Sequence, residues 1–269
     1  MLLSSKAGPQ DLSERGLRWW ENDQLAVGWK GHLFVPGHAA GEASVAELAK
    51  TLATRNLAEV ASDLAGVFGL FVFDKAARTW QVAVDNGGQY KVYYDRLDVG
   101  TSFLELLRTR PLAASELDKE ALTELLAHGY IMAGRTVVNS IGKLRGNEVL
   151  ELGADGLIRR APKRLAAEQP GGTEAVLAHF AALAKSLAGR ALSVDATGGF
   201  DSRLLLALLA KHGLPFELAV SGYRGTPDTE IPAQLAGLLG RPFHLSGHDL
   251  ADLDRVLTDA FPSSDGLMD

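Results

Sequence analysis

The hydrophobic pattern of the chain changes at about residue 170, and this change restricts the fold more than any other feature. Before it, short β-rich runs dominate; after it, apolar runs that suit strands alternate with helical stretches. The first pattern is typical of antiparallel sheets and the second of a parallel sheet with crossover helices. We therefore expect an α/β protein with two different domains, residues 1–163 and residues 170–269. A linker rich in Pro and Gly over residues 162–173 would join them.

The first half is predicted to contain antiparallel strands and two amphipathic helices. A turn at Trp29–Lys30 would separate two short strands, and Ser44 would cap the first helix. Gly129 would end the second helix. The predicted strands are 25–28, 31–35, the meander 66–74, 80–85 and 91–94, and the hairpin 147–152 and 157–160, and the predicted helices are 44–55 and 117–128.

The second half alternates between the two kinds of element with the spacing of a parallel sheet. Its predicted helices are 174–187, 202–212 and 230–239, and its predicted strands are 191–195, 216–221 and 242–245. Residues 202–212 are apolar on nearly every side, which predicts a helix buried between the sheet and another layer.

Composition excludes several classes of site. The 269 residues are 46% hydrophobic and contain no cysteine, which excludes disulfides, thiolate zinc sites, iron–sulfur clusters and cysteine nucleophiles. Twenty-seven basic against 33 acidic residues give a net charge of −6, so we expect no nucleic-acid partner. No signal-peptide pattern or apolar run of about 18 residues is present, so we expect no membrane partner and a cytoplasmic location.

The residues that point to chemistry follow the first strand of the second half, in the string Thr197-Gly198-Gly199-Phe200-Asp201-Ser202-Arg203. Adjacent glycines allow backbone N–H groups to approach a ligand, and a helix that begins there favours phosphate. The Thr197 and Ser202 hydroxyls could donate as well. Asp201 would be repelled by phosphate, which suggests a bridging Mg²⁺. The alternative is an ordinary β–α turn in which Asp201 caps the helix.

This string resembles the SGGxDS pyrophosphate loop of the N-type ATP pyrophosphatases, with Thr197 in place of the first serine. Other tracts narrow the resemblance to the asparagine synthetase family. Ser221-Gly222 followed by Thr226-Pro227-Asp228 is similar to the SPD tract of that family. Residues 63–74 resemble its "L.G.FAF.I.D" strand, Val92-Tyr93-Tyr94 its "LYY", and residues 134–150 its "RT.f.gI..l.pG..l" run.

The resemblance implies an N-terminal glutaminase-like α/β/β/α domain of the Ntn-hydrolase type and a C-terminal ATP-pyrophosphatase domain. It implies ATP and Mg²⁺ as cofactors, with Asp201 as the catalytic residue and the Mg²⁺ ligand. The residues it assigns to ATP lie in two tracts, Thr197, Gly198, Gly199, Phe200, Asp201 and Ser202, and Val220, Ser221 and Gly222. The first tract would hold the pyrophosphate, and the second would meet the adenine or ribose through backbone atoms.

Two departures from the family modify the expected function. Position 2, where glutamine-hydrolysing members expose a cysteine, is Leu2, so the amine is expected from ammonia or from the substrate. This brings the chain closer to β-lactam synthetase-like and lasso-peptide cyclase-like members. The family's second phosphate loop is missing, so the second domain is expected to be truncated. The sequence predicts an AMP-forming ligase that acts on a small-molecule or peptide carboxylate. A catalytically inactive binding or scaffold protein is the alternative, and the oligomeric state stays open, with a homodimer as one candidate.

Overall fold

A computed structural model describes residues 2–4, 17–39, 42–108, 112–153, 155–156, 158–164, 171–247 and 258. Contacts divide them into two compact units. The N-terminal unit comprises the described residues within Met1–Val35, Gly41–Gln169 and Thr258–Asp269, and the C-terminal unit those within Pro36–Ala40 and Pro170–Leu257. The predicted domain boundaries at 163 and 170 stay predictions.

Ten strands of the N-terminal unit form two antiparallel sheets. The six-stranded sheet has the order β10-β9-β5-β4-β3-β2, and the four-stranded sheet the order β1-β7-β6-β8. The strands are β1 (Leu2–Ser4), β2 (Arg18–Glu21), β3 (Leu25–Phe34), β4 (Ala65–Asp74), β5 (Thr79–Val84), β6 (Tyr93–Tyr94), β7 (Asp98–Gly100), β8 (Gly142–Lys143), β9 (Glu148–Leu152) and β10 (Ile158–Pro162).

Alternation along the central strands produces a layered α/β/β/α core. Phe68 and Leu70 of β4 pack on one face with helices α1 (Glu42–Leu52) and α2 (Leu57–Val60). Phe71 and Phe73 face the other way, toward residues of the four-stranded sheet. Helices α3 (Phe103–Arg108) and α4 (Lys119–His128) cover the outer side of that second sheet. The predicted fold class is confirmed.

Several local predictions for this unit are wrong for identifiable reasons. β3 is one strand of ten residues rather than two, because Trp29 and Lys30, predicted to form a turn, pair with Leu70 and Gly69 of β4. The third run of the predicted meander belongs to the other sheet, and the second neighbour of β5 is β9. Ser44 lies inside α1, and the cap of α4 is Asp118, whose carboxylate accepts the Ala121 N–H at 3.0 Å.

The C-terminal unit contains the predicted parallel sheet. Its strands β11 (Ser193–Asp195), β12 (Glu217–Ser221) and β13 (Phe243–Ser246) pair in that order, with β12 in the centre. Its helices are α5 (Gly172–Leu187), α6 (Phe200–Lys211) and α7 (Pro227–Leu239). Leu206, Leu209 and Leu218 belong to its core.

Helix α6 differs from the prediction on one face. Leu206, Leu208 and Leu209 are buried, but Leu204 and Leu205 are 56% and 40% exposed. Within the described residues, α6 therefore packs on one side only, and the expected second layer over its other side is not seen.

Candidate functional site

The glycine loop, residues 197–199, connects the end of β11 to the start of α6. The buried Ala196 continues the sheet, since its N–H donates to the Ala219 carbonyl at 2.9 Å. Gly199 is the N-cap of α6 and has an extended backbone, with a φ of −74° and a ψ of 164°. The loop thus lies at the carboxyl end of a parallel strand and at the amino end of a 12-residue helix. The first N–H groups of such a helix lack partners within it and favour anions.

Two hydroxyl groups hold the loop in shape. Ser202 Oγ donates toward the Thr197 carbonyl at 2.9 Å and also lies 3.2 Å from the Gly199 carbonyl. Thr197 Oγ1 accepts the Gly199 N–H at 3.3 Å. The sequence suggested these hydroxyls as donors to a ligand, and in this structure both serve the loop itself.

The first turn of α7 contacts the glycine loop. Asp228 Oδ1 accepts the N–H of Gly198 at 3.3 Å. A Cβ atom on Gly198 would lie 3.1 Å from Ile231 Cδ1, so a larger residue here would require the Ile231 side chain to shift. The sequence analysis assigned Asp228 no role at the site. The acidic residue directly after the N1 proline was the signal that could have identified it.

The second tract assigned to ATP, residues 220–222, also contacts the first turn of α7. Val220 is buried in β12, and Ser221 ends the strand. The Gly222 N–H donates to the Ser246 carbonyl at 3.0 Å, and a Cβ atom on Gly222 would lie 3.3 Å from Thr229 Cγ2. The start of α7 therefore lies against both predicted tracts, since it meets Gly198 through Asp228 and Gly222 through Thr229.

Phe200 and Asp201 project from the first turn of α6. Phe200 is 82% exposed, and the Arg203 guanidinium carbon lies 4.4 Å from the centre of its ring. Arg203 Nε also donates to the Gly199 carbonyl at 3.2 Å, and no acidic residue in the described ranges forms an ion pair with Arg203. Asp201 is exposed in a position where a carboxylate complements the helix dipole.

The fit of the site to Mg²⁺-bound phosphate can be judged from its donors. No group of three or more His, Asp or Glu side chains that could hold a metal ion occurs among the described residues. Mg²⁺ in nucleotide sites commonly uses one or two carboxylates together with the phosphates. The exposed Asp201 carboxylate beside exposed helix N–H groups meets that smaller requirement.

Lys163, at the start of the predicted linker, is buried in the structure. Lys163 is 4% exposed, and its Nζ donates to the Val84 carbonyl at 2.5 Å and to Asn86 Oδ1 at 3.2 Å. Burial lowers the pKa of Lys163 to about 8, and the Asp85 carboxylate opposes this shift. No local sequence signal indicates this burial, because the partners are almost 80 residues earlier in the chain.

Comparison with known proteins identifies one region of the chain. Residues 35–161 match the family of glutamine amidotransferase domains. This region is amidotransferase-like. The match covers less than half of the chain and lies in the N-terminal unit apart from residues 36–40. It does not include the glycine loop, and it does not distinguish the asparagine synthetase subtype from other amidotransferases.

Other comparisons add little. No curated protein matches the chain. One solved structure that resembles it is a glutamine-dependent NAD+ synthetase from Acinetobacter baumannii in complex with adenosine diphosphate. The match has 16% identity and a TM-score of 0.27. The match covers 43% of this chain and 23% of the NAD+ synthetase chain. No helix in the described part of the chain is both long and apolar enough to cross a membrane.

Proposed function

We propose that this chain is an ATP-dependent, amide-forming ligase of the asparagine synthetase type. The substrate carboxylate attacks the α-phosphorus of ATP and pyrophosphate leaves. An amine, from ammonia or from the substrate, then attacks the acyl carbon and AMP leaves. Activation is needed because a free carboxylate resists nucleophiles. Adenylation joins one carboxylate oxygen to AMP, so that this oxygen leaves as part of AMP when the amine attacks.

The observation that carries the proposal is the position of the glycine loop. It follows a parallel strand, precedes a long helix and lies beside a second loop that follows the neighbouring strand. In open parallel sheets, ligands bind outside the carboxyl ends of the strands. Gly198, Gly199 and Ser202 would hold the pyrophosphate, Thr197 and Phe200 would border it, and Asp201 would hold Mg²⁺. Val220, Ser221 and Gly222 would meet the adenosine.

The amidotransferase-like region supports the family but not glutamine hydrolysis. The resemblance implies a cysteine nucleophile in hydrolysing members, and the 269 residues contain no cysteine. The N-terminal unit would therefore keep the glutaminase fold while another source supplies the amine. A small-molecule or peptide carboxylate is the proposed substrate.

Calorimetric titration of the whole chain with ATP, with and without Mg²⁺, tests the proposal. We expect Mg²⁺ to strengthen ATP binding to the native protein. In Asp201→Ala, Mg²⁺ should no longer strengthen binding, so the affinity for Mg-ATP should be roughly tenfold lower than that of the native protein. Glu174→Ala is the matched control, because it removes an exposed acid from the first turn of α5 in the same unit. It should bind as the native protein does.

ATP–pyrophosphate exchange supplies the catalytic test. Exchange that depends on a carboxylate and is lost in Asp201→Ala supports the ligase. Equal exchange in both proteins removes Asp201 from the reaction. No Mg-ATP binding by the folded native chain favours the scaffold alternative, for which the Asp228 carboxylate on the Gly198 N–H is the supporting observation.

A further inference from the structure

A cavity of about 360 Å³ lies in the N-terminal unit, and none of its lining residues is among those assigned to ATP. It is lined by the end of β6 and the two residues that follow (94–96), the N-cap of α4, residues within 134–142, and β10. None of its lining residues belongs to β1, where Leu2 lies. The volume falls at the lower end of the range of small-molecule sites.

The segment that forms one wall is held in a fixed conformation. The Thr136 hydroxyl is buried, donates to the Ile141 carbonyl at 2.8 Å and accepts the Val138 N–H at 3.1 Å. Val138 and Ile141 are almost fully buried in the core below. The wall is therefore preformed.

Arg135, from the "RT" tract of the sequence, is already paired. It donates to Glu124 and Glu120, and Asp118 lies 3.9 Å from it. Three carboxylates compensate its charge, so Arg135 fixes the wall to α4 and contributes little free positive charge to the cavity.

The other two guanidinium groups are less compensated. Arg160 Nη1 lies 3.7 Å from Glu148 Oε1, but that oxygen already accepts from Arg145 at 2.6 Å. Arg96 lines the cavity and makes no ion pair with any residue in the described ranges. Two arginines thus remain available for an oxyanion, and their planar forks match a carboxylate.

Acidic and apolar groups complete the lining. Asp95 Oδ1 accepts the N–H groups of Leu97 and Asp98, at 2.8 and 2.9 Å, which leaves Oδ2 without a hydrogen bond from the described residues. The lining also includes Tyr94 and Ile158. A carboxylate beside guanidinium groups favours a ligand that carries both an ammonium and a carboxylate group.

We propose that this cavity is a binding site for a free amino acid or a short peptide. Arg96 and Arg160 bind its carboxylate, and Asp95 binds its ammonium group. The Tyr94 and Ile158 side chains pack against its apolar part. The two aspartates disfavour phosphate, since a dianion would be repelled by both Asp95 and Asp118.

Ligand-observed NMR on the whole chain tests the site, with the standard L-amino acids and their glycyl dipeptides as probes. We expect at least one probe to bind, and we expect its C-terminal amide to bind roughly tenfold more weakly. Calorimetry with the strongest probe should show a similar loss in Arg96→Gln and in Arg160→Gln.

Arg159→Gln is the matched control. Arg159 is next to Arg160 on β10, pairs with Asp155 and does not line the cavity. Neighbouring side chains on a strand point to opposite faces, so this variant should bind the probe normally. Unchanged thermal melting confirms that each variant is folded. The proposal is overturned if no probe binds, if amides bind as well as acids, if inorganic phosphate competes equally, or if the control loses as much affinity as Arg160→Gln.

Discussion

Lys163 is almost fully buried, which is unusual for a lysine. Its side chain ends within the N-terminal unit, near the Val84 carbonyl, the Asn86 amide oxygen and the Asp85 carboxylate. Asp85 itself accepts the N–H groups of Gln89 and Tyr90 at 3.0 and 2.7 Å. An ammonium group in this position loses hydration, so protonation is less favourable in the folded chain than in the unfolded one.

The pH dependence of stability follows from that difference. Over the interval from about 8 to the ordinary value of 10.5, the unfolded chain binds the Lys163 proton more tightly. The free energy of unfolding should therefore rise with pH across this interval, by up to about 3 kcal/mol. Urea unfolding of the native chain and of Lys163→Met at several pH values measures this contribution. The variant should lack that part of the rise, and parallel curves for the two proteins would contradict the assignment.

At the scale of the element, the β3–β4 pair depends on two glycines inside its strands. Gly31 and Gly66 have φ values of +84° and +106°. A Cβ atom on Gly66 would lie 1.9 Å from the His32 carbonyl oxygen, and one on Gly31 would lie 2.3 Å from the Val67 carbonyl oxygen. The long paired strands therefore need glycine at both positions.

Gly66→Ala should lower the free energy of unfolding by at least about 2 kcal/mol, because it combines an unfavourable φ with a clash against backbone. Gly237→Ala is the matched control. Gly237 lies in α7, where an alanine methyl would have open space within 4 Å, and alanine there should stabilise by up to about 1 kcal/mol. Denaturant unfolding measures both, and a Gly66→Ala protein as stable as the native one would refute the argument.

Most elements could be predicted because their signals are local. Runs of β-forming residues between turns located β4 and β5, and helical stretches located α5 and α7 to within three residues. The errors came from partners that are distant in sequence. Trp29 and Lys30 were predicted to form a turn because their pairing with β4 could not be seen in the sequence, and the short strand β6 pairs in the second sheet rather than with β5. Likewise, the composition of α6 indicated burial, but Leu204 and Leu205 stay exposed.

For the candidate site, the two loops could be predicted from the sequence, but the link between them could not. Both tracts carry local signals, which are paired glycines and a serine–glycine step after apolar strands. The Asp228 contact with Gly198 joins residues 30 positions apart, and only the folded chain brings them together. The same holds for the amino acid cavity, whose arginines come from separate segments of the N-terminal unit.

At the scale of the whole molecule, each unit has a hydrophobic core of its own. Phe68 lies in the core of the N-terminal unit, and Leu218 lies in that of the C-terminal unit. A unit with its own core is expected to unfold as a cooperative group.

Hydrogen exchange on the whole chain can test this separation. Phe68→Ala should reduce the protection of β4 and β5 amides by about 3–5 kcal/mol, and Leu218→Ala that of β11 and β12 amides by about 2–5 kcal/mol. Each substitution should change the other unit much less. Equal loss of protection in both units after either substitution would mean that the chain unfolds as one body.

The Asp228 contact also has a consequence for how an anion would enter the glycine loop. The Gly198 N–H already has a negatively charged acceptor, which comes from the first turn of another helix. An incoming phosphate must displace that carboxylate before it can take the same hydrogen. A phosphate bound at the Gly198 N–H would therefore require the Asp228 side chain to rotate away from the loop.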